Sequence, residues 1–278
     1  MRDVRVLSAD SMEGRAVGSP GSAKARAYLV GRFAETGLQP FGQSFERPFA
    51  FSGRGGSPER SGVNVVGFLR GRSRPDQYLV LTAHYDHVGV RDGNIYNGAD
   101  DNASGTAALL ALAEHFRQNA PEHSIIFAAL DAEEGGLRGA RAFVESPPVE
   151  RSALFANVNM DMVSRNDAGE LWVAGTYHYP QFLPLAEKVA KTAPVKLRIG
   201  HDRAGVAGQD DWTSSSDHGP FHAAKIPFLY LGVEDHADYH KPSDDAVRIK
   251  PDFFGRAVAT VIQVVRELDA HFAASRDR

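Results

Sequence analysis

Residues 78–87, YLVLTAHYDH, and residues 124–134, SIIFAALDAEE, decide the fold. Each begins as an apolar run of the kind a buried strand carries, and each ends abruptly in histidines or acids. Between them, residues 103–117 (ASGTAALLALAEHFR) read as a helix, with Asn102 or Ser104 near its N-cap. The alternation continues outward. VNVVGFL (63–69) is a strand upstream, and residues 21–36 form an amphipathic helix stopped by Gly37. Downstream come a helix at 137–145 and strands at 154–160 (LFANVNM), 171–175 and 227–233 (PFLYLGV). Residues 180–192 are helical, and residues 251–273 form a closing helix with Phe254, Val258, Val261, Ile262, Val265 and Leu268 on one face. This order predicts an α/β fold: one three-layer αβα domain over residues 1–278, with a mostly parallel, mixed central sheet flanked by helices. Residues 41–62 read as a loop or ragged hairpin, and residues 200–220 as an irregular lobe or wall.

Composition removes several classes of chemistry. The 278 residues include 31 Lys and Arg, 35 Asp and Glu, 11 His and no Cys, for a formal charge of -4. Without Cys there is no disulfide, thiolate zinc site, iron–sulfur cluster or thiol nucleophile. The mildly acidic balance excludes a general nucleic-acid binder. No run approaches the ~18 apolar residues of a membrane span. The N-terminal MRDVRVLSADSMEGR lacks the apolar stretch of an export signal.

The acids and histidines fall at the ends of the predicted strands. His84-Tyr85-Asp86-His87 closes one, Asp131-Ala132-Glu133-Glu134 the next, and Asp161 a third; Glu234-Asp235-His236 and Tyr239-His240 follow the last. Gly98-Ala99-Asp100-Asp101-Asn102 lies just before a helix. If these strands are parallel neighbours, all of these groups converge on one crevice beyond the carboxyl ends, where open α/β sheets bind ligands. Carboxylates crowded in this way repel one another, and a divalent cation relieves the repulsion. Imidazole and carboxylate donors suit Zn²⁺, with Co²⁺ or Mn²⁺ as substitutes. Two histidines and three carboxylates exceed the needs of one tetrahedral zinc and fit two zincs about 3.5–4 Å apart that share a carboxylate. A serine hydrolase is disfavoured because no G-x-S-x-G elbow is present and Ser216-Asp217-His218 is too local for a triad.

His84-Tyr85-Asp86, residues 98–105 (GADDNASG), Asp131-Ala132-Glu133-Glu134, residues 159–162 (NMDM) and residues 239–244 (YHKPSD) together resemble the M28 family of co-catalytic zinc aminopeptidases. The opening LSADSMEGRAVGSPGSAKARAYLVGRFAETGLQPFG is similar to that of many members, so the resemblance spans roughly residues 7–270. It implies the phosphorylase/hydrolase-like zinc exopeptidase fold and two Zn²⁺ per chain. Asp101 would bridge the metals, His84 and Asp161 would complete one site, and Glu134 and His240 the other. Glu133 would be the general base, and Tyr239 would stabilise the oxyanion. Asp86 would hold His84, and Asp244 would hold His240. His236 is the competitor of His240, and His87 is placed at the crevice rim. Asp217-His218 resembles a family segment near the active site and is assigned to structure or to the substrate wall.

The implied substrate is a peptide cleaved from its N-terminus. Glutaminyl cyclase-like transfer with one zinc on Asp101, Glu134 and His240 is the alternative, as is carboxypeptidase or dipeptidase action on the same scaffold. Arg198 and Arg203 are in the general region of the expected site but read as surface charge, so no arginine cluster marks a free carboxylate. No protease-associated insert is expected. Relatives favour a periplasmic or secreted location, and the oligomeric state is not legible.

Overall fold

The computed structural model describes residues 1–52 and 59–275. In chain order its strands are β1 (Gln39–Pro40), β2 (Glu46–Phe51), β3 (Arg60–Leu69), β4 (Arg74–His84), β5 (Gly89–Arg91), β6 (Asn94–Tyr96), β7 (His123–Leu130), β8 (Leu154–Asp161), β9 (Glu170–Ala174), β10 (Lys196–Ile199) and β11 (Phe228–Gly232). The helices are α1 (Arg2–Leu7), α2 (Pro20–Glu35), α3 (Gly105–Gln118), α4 (Arg138–Glu145), α5 (Leu183–Ala190), α6 (His218–Ala223) and α7 (Pro251–Ser275). β5 and β6 form a separate hairpin. The other strands join one mixed sheet in the order β1-β3-β7-β4-β8-β11-β9-β10, with β2 also paired to β3.

The sheet centre is parallel because its strands are apolar on both faces. Every residue of β7 and β8 is buried, which requires cover on both sides. Alternate residues of the central strands divide between the two layers. Leu79, Leu81, Ile125 and Phe127 share one core with Leu29, Phe33, Leu109 and Val261, which come from α2, α3 and α7. Val80, Ile126, Ala128 and Leu130 pack on the opposite side with Ala140, Phe143 and Phe221, from α4 and α6. This is the three-layer arrangement that the alternation predicts. β4 is parallel to both β7 and β8, and β11 is parallel to β8. β3 and β9 run antiparallel to this centre.

Local signals explain the helix limits. Ser19 accepts a hydrogen bond from the Ser22 N–H, and Pro20 opens α2. The helix expected at 103–117 starts two residues later, at Gly105, because Asp101 and Asn102 adopt non-helical angles. The Asn102 Oδ1 accepts from Gly105 N at 2.8 Å, and its Nδ2 donates to the Met160 carbonyl at 2.9 Å. One side chain thus caps α3 and ties it to β8. A Cβ on Gly105 would lie 2.4 Å from the Met160 oxygen, so this approach requires glycine. The helix expected at 180–192 divides into a 3₁₀ turn at Pro180–Phe182 and α5. Residues 41–62 contain an antiparallel hairpin of β2 and β3; the centre of that segment, residues 53–58, lies outside the described residues. α1 and the 3₁₀ turn Asp10–Arg15 have no counterpart in the sequence-based expectation.

Phe127 sits at the middle of β7 with no exposed surface. Phe127→Ala should cost about 3–5 kcal/mol, read as a lower urea midpoint with an unchanged slope. A midpoint shift worth less than about 1 kcal/mol would mean that the layer around β7 recloses over the gap.

Candidate metal centre

The four parallel strands β7, β4, β8 and β11 stop on the same side of the sheet, and their ends carry the acids. His84 is the last residue of β4 and Asp161 the last of β8. Glu133 and Glu134 follow β7, and Tyr239 and His240 follow β11. Asp101 reaches the same place from the turn before α3. The register sets His84 beside Leu130 and Asp161 beside Gly232. These groups line a cavity of about 300 Å³, together with Met162, Tyr230, Asp235 and the wall residues Asp210, Asp211 and Trp212.

Two groups of donors form within this cavity. His84, Glu133 and Asp161 have ligand atoms close enough to hold one ion, and His87, Asp101 and Glu134 make a second such group. His84 Nδ1 lies 3.1 Å from the Asp86 carbonyl, which can only accept, so this nitrogen carries the proton. Nε2 is left to face Asp161 Oδ1 at 3.3 Å and Asp101 Oδ1 at 3.4 Å. The other Asp101 oxygen faces His240 Nε2 at 3.0 Å. Asp101 thus offers one oxygen to each group. His240 Nε2 also lies 3.3 Å from Glu134 Oε1.

The protonation pattern shows how much negative charge is gathered here. Burial, with Asp161 and Asp217 adding to it, drives the Glu133 carboxyl well above the usual range. Burial does the same to Asp86. Desolvation alone would make His84 less basic, but Asp161, Glu133 and Asp101 hold it well above the ordinary imidazole value. The Asp101 and Glu134 carboxylates beside it push His240 up to about 10. Glu133 and Asp86 are thus drawn towards neutrality, whereas the neighbouring imidazoles hold Glu134 and Asp161 below the usual carboxylate range and are themselves drawn towards positive charge. Zn²⁺ or a similar divalent ion fits this set of imidazole and carboxylate donors, and it would also partner the buried Glu134 Oε1 and His87 Nδ1, neither of which has a hydrogen bond.

The backbone at these positions is held in uncommon conformations. Ala132, Met162 and His240 all have positive φ (59°, 56° and 52°). Each is a ligand-bearing residue or an immediate neighbour of one, and strained backbone of this kind gathers at functional sites. The Asp86 carboxylate accepts from the Glu133 and Glu134 N–H groups at 3.0 and 3.3 Å, which aims the two glutamates in different directions.

Residues 64–265 match the family model described as "Peptidase family M28". The chain belongs to that family. Among M28 relatives, aminopeptidase YwaD of Bacillus subtilis (strain 168) is 30% identical over 217 residues, 73% of this chain and 44% of that protein. Among solved structures, BSAP, a zinc aminopeptidase from Bacillus subtilis, aligns with a TM-score of 0.62 at 27% identity, over 75% of this chain and 50% of that one. Porphyromonas gingivalis glutaminyl cyclase aligns with a TM-score of 0.78 over 96% of each chain. At 17% identity, that last likeness concerns the fold alone. The chain spans less than half the length of the curated relatives it matches.

The expectations for Asp86, Asp244 and His87 require revision, whereas His236 and the two arginines stay outside the donor groups, as expected. The Asp86 carboxylate stands 3.7 Å from His84 Nδ1, and its hydrogen bonds go to the Glu133–Glu134 turn; the His84 ring is held by the Asp86 carbonyl instead. The Asp244 carboxylate does not serve His240. It accepts from the Asp100 and Asp101 N–H groups at 3.1 Å and so fixes the Asp101 turn. His236 lies against Asp100, 3.1 Å from its Oδ2, outside both donor groups. Asp100 in turn accepts from Ser164 N and Oγ. His87 is not at the rim: it is 1% exposed and sits among the donors. Arg198 pairs with Glu170, and Arg203 stacks over Tyr177; neither lines the cavity.

Other contributors were not assigned from the sequence. Ser216 Oγ donates to Asp161 Oδ2 at 2.7 Å and is itself held by Asn159. Arg15 is wholly buried and donates to the carbonyls of Leu7, Tyr85, Asn97 and Gly98. Serine in a polar run and arginine in a short turn leave no periodic signal; only the fold brings them here. Asp217 is buried with neither oxygen hydrogen-bonded, and its pKa is pushed up to about 7 by burial, with Asp161 adding to the shift.

Beneath this wall, burial pushes the His218 imidazole down to about 4. Its unfolded value is near 6.5, so a neutral His218 contributes stability that is complete above pH ~6.5 and is lost as pH falls towards 4. The stability gap between wild type and His218→Gln should therefore narrow over that window by on the order of 3 kcal/mol, in urea titrations at stepped pH. A constant gap would mean that the ring takes up its proton as readily folded as unfolded.

Proposed function

We propose that the chain is a zinc-dependent exopeptidase that removes residues from the N-terminus of peptides. The observation that carries this reading is the charge of the cavity wall. Among the described residues that line it there is no Lys or Arg, whereas Asp210, Asp211 and Asp235 face it beyond the donor groups. A wall of this kind complements a substrate's ammonium group and offers nothing to pair a free C-terminal carboxylate. That favours aminopeptidase over carboxypeptidase action. YwaD and BSAP, both named as aminopeptidases, point the same way.

His84, Asp101 and Asp161 would hold one metal, and Asp101, Glu134 and His240 the other, with Asp101 shared. When bound, such a pair of ions supplies Lewis acidity and makes water more acidic. Glu133 Oε is the proton carrier: its raised pKa suits it to take a proton from the attacking water and return it to the leaving amine. Asp86 keeps Glu133 turned towards the cavity through its hydrogen bond to the Glu133 N–H. The Tyr239 ring stacks on His240 at 4.0 Å and lines the cavity, so its hydroxyl is assigned to the carbonyl oxygen of the scissile bond. The glutaminyl cyclase alternative needs only Asp101, Glu134 and His240, and it leaves the close approach of His84 to Asp101 and Asp161 without a purpose.

Glu133→Gln should retain two zincs per chain and lower kcat by about 10²–10⁴, followed with aminoacyl-nitroanilides; wild-type turnover would remove the base assignment. On wild type, those substrates should be cleaved and N-acetylated dipeptides with a free C-terminus left intact. The opposite preference would overturn the aminopeptidase reading. One zinc per chain by elemental analysis would favour the cyclase chemistry.

A further inference from the structure

His87 is a buried imidazole that the five-ligand scheme leaves without a task. It follows the end of β4 by three residues and is 1% exposed. Its position is built. A Cβ on Gly98 would lie 2.5 Å from His87 Cγ and Cδ2, so a glycine at φ 54° is what admits the ring. The ring edge faces His240, with centroids 5.7 Å apart.

Neither nitrogen of this ring has a hydrogen-bond partner. Nδ1 nevertheless lies 2.8 Å from Glu134 Oε1 and 3.7 Å from Asp101 Oδ2. Glu134 Oε1 is likewise buried and without a hydrogen bond. Two buried polar atoms this close, but not aligned for hydrogen bonding, each carry an uncompensated desolvation penalty. A cation coordinated by both would remove it. The spacing agrees: zinc bonds of about 2.0–2.1 Å put neighbouring donors of a tetrahedron roughly 3.3 Å apart. The separations of His87 and His240 from Asp101 Oδ2 and Glu134 Oε1 run from 2.8 to 3.7 Å.

Resting on the metal-centre reading above, we propose that His87 is a ligand of the second metal through Nδ1. The second site then has two imidazoles and two carboxylates, against the single imidazole of the first. The additional imidazole makes the second site the one that favours zinc over manganese. The two sites of this chain would therefore differ in metal preference as well as in position.

The experiment is ¹⁵N NMR of histidine-labelled protein, metal-free and after loading with two equivalents of Zn²⁺, with zinc affinities measured by competition against a chelator. Three imidazoles should show a metal-bound nitrogen, one of them a Nδ1 that is missing in His87→Gln. That variant should bind its first zinc as wild type does and its second more than 100-fold more weakly, beyond the 10–100-fold expected of a residue that only orients a ligand. If wild type takes up two zincs while the His87 resonances stay as in the metal-free protein, His87 is a core histidine and the proposal fails, with the five-ligand reading intact. If wild type takes up no zinc, both readings fail. The wild-type spectra decide the matter even if the variant does not fold.

Discussion

The structure depends on gathering many carboxylates at one end of a sheet without letting their repulsion open it. Three parallel strand ends and one helix-capping turn deliver Asp101, Glu133, Glu134 and Asp161 to a single crevice, with Asp86 directly behind the two glutamates. Desolvated like charges at such range destabilise a fold unless something fixed opposes them. Much of the opposition comes from the backbone. Asp86, Asp100 and Asp244 all accept hydrogen bonds from main-chain N–H groups around the site. Arg15 works from the opposite sign. Its guanidinium is buried enough to lower its pKa to about 10, and it spends its donors on four carbonyls rather than on any carboxylate. Two of those carbonyls belong to Asn97 and Gly98, and a third lies between His84 and Asp86. The segments that carry the acids are thus tied together by a cation that never touches them.

The layered fold was legible because it is a property of runs. Residues 78–84, 124–130 and 154–160 are mostly apolar and short, which suits strands covered on both faces of a parallel sheet. The acids at their ends were legible for the same reason, since a strand's terminus is visible in the sequence. Distances across the crevice were not. Asp244 is four residues from His240, and proximity in sequence argued for a pair; the fold turns its carboxylate to the Asp100–Asp101 backbone instead. His87 was placed at the rim because five other residues already filled the expected ligand set, but the positive φ of Gly98 opens room for the ring inside. Ser216 and Arg15 act through one hydrogen-bonding atom each or through main-chain carbonyls. No spacing rule reports such contacts.

The kinship findings and the geometry bear on different questions. Membership of M28 concerns the framework, which aminopeptidases and a glutaminyl cyclase both use. What separates such activities lies in the few groups that meet the substrate. Here those groups divide by origin. Most of the donors sit on strand ends or within a few residues of them. Part of the remaining wall, Asp210, Asp211, Trp212 and Ser215, comes from residues 200–217, which contain neither helix nor strand.

That wall is anchored to the framework at its two ends: Gly200 N–H donates to the Val173 carbonyl and Asp202 accepts from the Gly175 and Tyr177 N–H groups, while Trp212 packs on Tyr230 and Ser216 donates to Asp161. Trp212, its cavity-facing aromatic, stacks on His201 with centroids 3.6 Å apart, and its N–H returns to the His201 carbonyl. The lobe thus carries much of its own support, and the metal-side residues do not lean on it apart from the Ser216–Asp161 bond at its end. Substitution in residues 203–211 can therefore recut the shape and charge of the substrate pocket without moving a single donor atom. Under the proposed peptidase reading, selectivity is separable from reactivity, and descendants of one such frame can drift between substrates while the chemistry stays in place.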